Sequence, residues 1–302
     1  MLKKIGLSIL DFLLFSHFFI AFCAVAQGLV TYYLLNASPH VSILAFLFFS
    51  TLVVYNLSVL LSRPKAPAQS PFKRVKWIFA HHQLVVYITI VAGLGVAVVG
   101  LLYLNAPAKL LMALVGLIAL AYNVPFLRFR NKKLRLRNIP GAKLFIIGLV
   151  WALSCVLLPI VALHGTEGFS ISIQEIILLV VKRFVFICAI TVPFDIRDLY
   201  QDRLYQLKTI PVIWGEKKAW IFCQALLAIY VLLLVLFVQH INLEVIGLTL
   251  TAVLTGWLIF KSNFKRNEYY YFLYLDGTMI LQYAILYFLH EMGDFAYPIF
   301  SA

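Results

Sequence analysis

A chain of 302 residues would ordinarily suggest about two soluble domains, but 63% of this one is hydrophobic, only 12% is charged and its mean hydropathy is +0.96. Soluble domains carry about 25% charged residues, so an ordinary cytoplasmic domain, a disordered chain and a secreted disulfide scaffold are excluded. The formal net charge of +13 lies in short connections between apolar runs, with no extended basic domain or zinc-finger spacing, which argues against nucleic acid as a partner.

In chain order, nine stretches are long and apolar enough to cross roughly 30 Å of hydrocarbon as helices of about 20 residues. They cover 9–34, 41–61, 82–104, 107–124, 144–163, 172–193, 219–238, 243–260 and 270–289. None has the alternation of a barrel strand, so the expected fold is all-α: a polytopic membrane protein, one domain over 1–302. The first stretch follows Lys3 and Lys4 and reads as a retained anchor. It carries Asp11, His17 and Gln27, polar residues expected to hydrogen-bond between helices.

Alternating the nine spans from a cytoplasmic N-terminus sorts the basic residues onto one side. The second-to-third connection holds Arg63, Lys65, Lys73, Arg74 and Lys76. The fourth-to-fifth holds Arg128, Arg130, Lys132, Lys133, Arg135, Arg137 and Lys143. Further basic residues follow from Arg197 to Lys218 and from Lys261 to Arg266, while only Lys109, at the start of the fourth span, falls on the outer side and Lys182 and Arg183 lie inside the sixth. This is the positive-inside pattern of an inner or plasma membrane protein whose C-terminus lies on the opposite side. The same basic loops suit contact with anionic membrane lipids. Cys23, Cys155, Cys188 and Cys223 are scattered singly and read as packing residues, and His81-His82 lacks any zinc pattern.

The sixth span runs through Pro193, expected to break or kink it, into Asp195, Asp198 and Asp202. On a continuous helix, spacings of three and four residues put these carboxylates on one face. Such a face suits Mg²⁺ carrying a substrate phosphate, or a solvated helix end neutralised by Arg197 and Arg203. In the last span Asp276, followed by Gly277, is an intramembrane acid suited to an acceptor or to a structural hydrogen-bond network.

These residues carry a resemblance. The run 195–226, with Asp195-Ile196-Arg197-Asp198, Asp202-Arg203, Lys208-Thr209-Ile210-Pro211 and Gly215-Glu216-Lys217, resembles the second aspartate-rich region of the UbiA superfamily of intramembrane prenyltransferases. Tyr122-Asn123-Val124-Pro125, closed by Arg128, resembles that family's aromatic–polar–proline–basic segment. The resemblance implies a nine-helix UbiA-like bundle that moves a prenyl group from an isoprenyl diphosphate to a lipophilic acceptor with Mg²⁺. Carried over by position, Asp195, Asp198 and Asp202 become the catalytic acids, with Asp198 and Asp202 on the metal. Asn56, Arg63, Tyr122, Asn123, Arg128 and Lys208 become substrate-binding residues, and Asp276 joins them from its place in the last span.

The sequence departs from the family at the first acidic motif. Asn56 keeps its lead residue, but Leu57, Leu60 and Pro64 stand where aspartates are expected. Arg63, Lys65, Lys73, Arg74 and Lys76 lie close by and either bind phosphate directly or serve only as anchors. The rival reading is a catalytically silent isoprenoid- or lipid-binding membrane protein.

Overall fold

The computed structural model describes residues 2–62, 66–123, 127–129, 132–134, 141–164, 166, 168–204, 207–236 and 242–296. Apolar runs dictate its helices because backbone groups in hydrocarbon must be satisfied within the segment. In order these are α1 (Leu2–Phe15), α2 (Phe18–Leu34), α3 (Val41–Leu61), α4 (Lys73–Ala80), α5 (His82–Tyr103) and α6 (Ala106–Asn123). A short antiparallel hairpin, Leu127–Phe129 with Lys132–Leu134, then precedes α7 (Ala142–Ala152). A π-turn at Leu153–Leu157 joins α7 to α8 (Leu158–Leu163) as one apolar span. Then come α9 (Ile173–Arg197), α10 (Leu199–Leu204), α11 (Ile210–Trp214), α12 (Glu216–Leu236), α13 (Leu243–Lys261) and α14 (Thr278–Ala296). A second π-turn, Tyr270–Leu275, leads into α14.

Among the described residues seven helices, counting α7–α8 and the π-turn with α14 each as one, are long and apolar enough to cross a membrane. The segments Gly6–Phe15 and Phe18–Leu34 meet that test only together, as one span bent by 65°. The chain is thus an all-α polytopic bundle with seven or eight candidate crossings; the nine-span reading also requires the shorter apolar helix α6 to cross.

Helix packing closes a ring. From α2 it runs through α3, α6, α7–α8, α9, α12, α13 and α14 back to α2, with α5 packed outside α3. Small residues permit the close approaches: a Cβ on Gly148 would stand 2.7 Å from Cys188 Sγ, and one on Gly256 2.7 Å from Gln224 Oε1. Arg183 is buried in the bundle and donates to Gln282 Oε1 and the Gln27 carbonyl, both at 3.2 Å, which ties α9 to α2 and α14. At one end α1 and α4 fold across the ring. Lys73 pairs with Asp11 at 3.0 Å, the Arg74 backbone N–H donates to Glu268 at 3.2 Å, and Trp77 packs on Phe15.

The helix break comes later than Pro193. α9 is not interrupted at Pro193, which is buried within it, but runs on to Arg197. The break comes at Asp198, whose φ of −88° and ψ of 4° leave the helix before α10 begins. Tight packing of the residues around Pro193 holds the helical path despite the lost backbone N–H.

Candidate functional site

Inside the ring lies a cavity of about 300 Å³. Its walls are mostly apolar, with Val54, Ile147, Val150, Trp151, Ile187 and Ile190 among them. Charged lining comes from Arg74, Lys143, Arg197, Asp198 and Asp276, and further polar lining from His17, Tyr55, Ser58, Tyr122 and Thr191. Long apolar walls with a few convergent polar groups are the form of a pocket for an amphipathic ligand.

The three cations arrive from different elements. Lys143, at the start of α7, forms an ion pair with Asp195 of α9. Arg197 ends α9 and grips Asp198 bidentately, Nε to Oδ1 at 2.7 Å and Nη2 to Oδ2 at 2.9 Å. Arg74 comes from α4 and lies over Phe272. Arg74 Nε and Arg197 Nη1 are both buried without a hydrogen-bond partner among the described residues. Buried donors are normally paired, so two orphaned guanidinium N–H groups on one cavity mark a place for an anion. Burial lowers the Arg74 pKa, and the Arg197 charge beside it lowers it further. Burial works to raise the Asp198 carboxyl, but the Arg197 guanidinium overrides it and holds the group below its ordinary range.

Two helix irregularities deliver His17 and Asp276. His17 sits at the bend of the first span in the left-handed region, with φ 68° and ψ 15°. Its Nδ1 is 2.7 Å from Asn56 Oδ1, and its buried Nε2 has no partner among the described residues. Asp276 follows the second π-turn, where its backbone N–H bonds back to the Tyr271 carbonyl at 3.1 Å. The turn makes Gly277 obligatory, because a Cβ there would stand 2.1 Å from the Leu273 carbonyl oxygen.

The sequence-derived candidates divide. Tyr122, Asp198 and Asp276 line the cavity. Asp195 reaches it through Lys143, and Asn56, fully buried, through His17. Asp202 is buried off the cavity in α10 and accepts the Thr209 hydroxyl at 3.1 Å. Burial pushes its carboxyl up to about 6; Asp195 and Asp198 add to the rise, against Lys143 and the Thr209 hydroxyl. Lys208 is exposed and does not line the cavity. Arg63 lies outside the described residues, as do the side chains of Asn123 and Arg128. Of the three cations, the sequence offers Arg74 among the residues able to bind phosphate directly, whereas Lys143 and Arg197 read there only as anchoring or neutralising charges. The signal available for Arg74 was the amphipathic character of 73–80.

Among the described residues the acids do not gather into a metal-binding group. The three aspartates each have a protein partner: Lys143, Arg197 and Thr209. Leu57 and Leu60 of α3 are apolar and offer no metal ligand. Among the described residues no group of three or more His, Cys, Asp or Glu could hold a metal ion.

The profile of the UbiA prenyltransferase family matches residues 78–270, nearly two-thirds of the chain. Solved structures share the fold at low identity. A UbiA homolog from Archaeoglobus fulgidus bound to GPP and Mg²⁺ is 15% identical with a TM-score of 0.66, over 93% of this chain and 99% of that one. The apo form of a UbiA homolog from Aeropyrum pernix K1 is 17% identical with a TM-score of 0.57, over 91% and 95%. No curated protein matches.

Proposed function

The chain belongs to the UbiA prenyltransferase family, and on that premise we propose that it transfers a prenyl group from an isoprenyl diphosphate to a lipophilic acceptor. The carrying observation is the pair of orphaned guanidinium donors on an otherwise largely apolar cavity. The isoprenoid chain lies along the apolar walls and the diphosphate against Arg74, Arg197 and Lys143. Charge-assisted N–H contacts of this kind are strong and, for arginine, directional. Held in place before reaction, they stabilise the negative charge that grows on the diphosphate as the prenyl carbon leaves it.

In this reading Asp195 and Asp198 are positioning residues that aim Lys143 and Arg197, and Tyr122 lines the prenyl path. Arg63 and Arg128, on the basic connections, draw the anionic head toward the cavity, as do Asn123 and Lys208 more weakly. The GPP and Mg²⁺ of the Archaeoglobus homolog support a prenyl diphosphate as the ligand class. Mg²⁺ enters here only as a counter-ion of the diphosphate in solution, because the acids that would retain it are engaged. Basic connections mark the cytoplasmic face, so the charged rim opens inward, the N-terminus is cytoplasmic and nine crossings put the C-terminus outside.

Leu57 and Leu60 at the first motif favour a second reading, a catalytically silent isoprenoid-binding protein. The test is geranyl diphosphate binding to the protein in lipid nanodiscs, with Mg²⁺ and with EDTA, followed by mass spectrometry for prenylated products from lipid extracts. Binding with product supports transfer. Binding without product supports the silent reading, and no binding sinks both.

A further inference from the structure

The cavity holds a group that anion binding does not use. His17 lines it and is only 3% exposed. It occupies left-handed backbone, which is strained for a non-glycine residue and persists only where its surroundings impose it. Those surroundings are the 65° bend of the first span and the contact from Nδ1 to Asn56 Oδ1. The Asn56 amide oxygen facing Nδ1 can only accept, so Nδ1 donates; Arg74, Lys143 and Arg197 line the same cavity and their charge opposes a second proton on the ring, which leaves Nε2 its lone pair. Buried Nε2 has no partner among the described residues. The side chain is therefore locked as a neutral imidazole with an unfilled acceptor, in a cavity whose cations supply only donors.

Resting on the prenyl-transfer reading, we propose that His17 Nε2 accepts the hydrogen bond, and in reaction the proton, of a hydroxyl on the acceptor substrate, which is accordingly a lipophilic alcohol or phenol. In the transfer step the acceptor oxygen bonds to the prenyl C1 as the bond from C1 to the diphosphate oxygen breaks. The electron pair of that bond leaves on the diphosphate, and the hydroxyl proton passes to Nε2. Asn56, at the retained head of an otherwise lost acidic motif, fixes the tautomer and is a positioning residue.

The experiment compares affinities for 1-naphthol and 1-methoxynaphthalene, which differ in the hydroxyl proton, in protein reconstituted in nanodiscs. The parent is expected to prefer the naphthol about tenfold, the worth of one buried hydrogen bond. His17→Asn suits left-handed backbone but is too short to bond Asn56 and also accept from the cavity; His17→Leu accepts nothing. Both should bind the two probes equally while still binding inorganic diphosphate. A parent without the preference overturns the proposal whether or not the variants fold. So does a preference that survives both His17 changes, or one lost only in Asp276→Asn, which would assign the hydroxyl to the carboxylate. Failure of geranyl diphosphate to bind the same samples strikes the prenyl-transfer reading but leaves the hydroxyl preference standing.

Discussion

Arg74 and Arg197 bring two guanidinium groups to one aromatic ring, their central carbons 5.1 and 5.0 Å from the centre of Phe272. One comes from a short helix folded across the bundle and the other from the end of a span. Like charges this close repel, and the ring's face offsets only part of that cost. An anion received by their unpartnered N–H groups would remove the rest.

Arg74→Gln and Arg197→Gln should therefore each weaken binding of geranyl diphosphate about tenfold to a hundredfold, the worth of a charge-assisted hydrogen bond. Geraniol, which lacks the anion, should bind nearly as before. Calorimetry with both ligands in EDTA separates the two contributions. Equal losses for the alcohol and the diphosphate would show that the arginines shape the cavity and do not receive the anion.

The Lys143–Asp195 pair should matter to stability through its unpaired partner. The Asp195 side chain is 5% exposed and that of Lys143 28%. Asp195→Asn leaves a half-buried ammonium without its counter-charge and should cost about 2 kcal/mol, less than a fully buried pair because water reaches the lysine. The double change Lys143→Met with Asp195→Leu should recover most of that. Thermal unfolding of the three variants in matched detergent decides it; a double change as damaging as the single one would count against the argument.

Asp202 makes stability pH-dependent with a definite sign. Its folded-state pKa of about 6 lies above the ordinary 3.8, so the folded protein holds this proton more tightly than the unfolded chain. Its contribution is therefore full at low pH, falls as pH rises from about 4 to 6, and is absent above that. Asp202→Asn keeps an acceptor for Thr209 and carries no charge. It should stabilise the protein by about 2 kcal/mol at pH 8 and by almost nothing at pH 4. Unfolding midpoints at the two pH values check this, and a gain of the same size at both would refute it.

The topology is open to labelling. With cysteines placed singly at Ser70, Asn131, Ser38 and Thr166, a membrane-impermeant thiol reagent added from the cytoplasmic side should reach the first two and miss the others. Modification of positions 70 and 166 from the same side would remove the nine-crossing arrangement.

Much of the bundle is legible in the sequence because hydrophobic length and loop charge are local quantities. The run 41–61 coincides with α3, and 82–104, 172–193 and 243–260 fall within a few residues of α5, α9 and α13. The site is different. Asp195, Asp198 and Asp202 look like one acidic face until the helix ends at Arg197 and each acid takes its own partner, a turn that tertiary packing imposes on the chain. Positions 17, 74, 143, 197 and 276 carry no common spacing and come from five elements. They share a cavity only because the first span bends at His17, a π-turn shifts Asp276, and α4 folds across the ring to bring Arg74 in. Each of those distortions is held by contacts between segments far apart in the chain, so local propensity carries no sign of them.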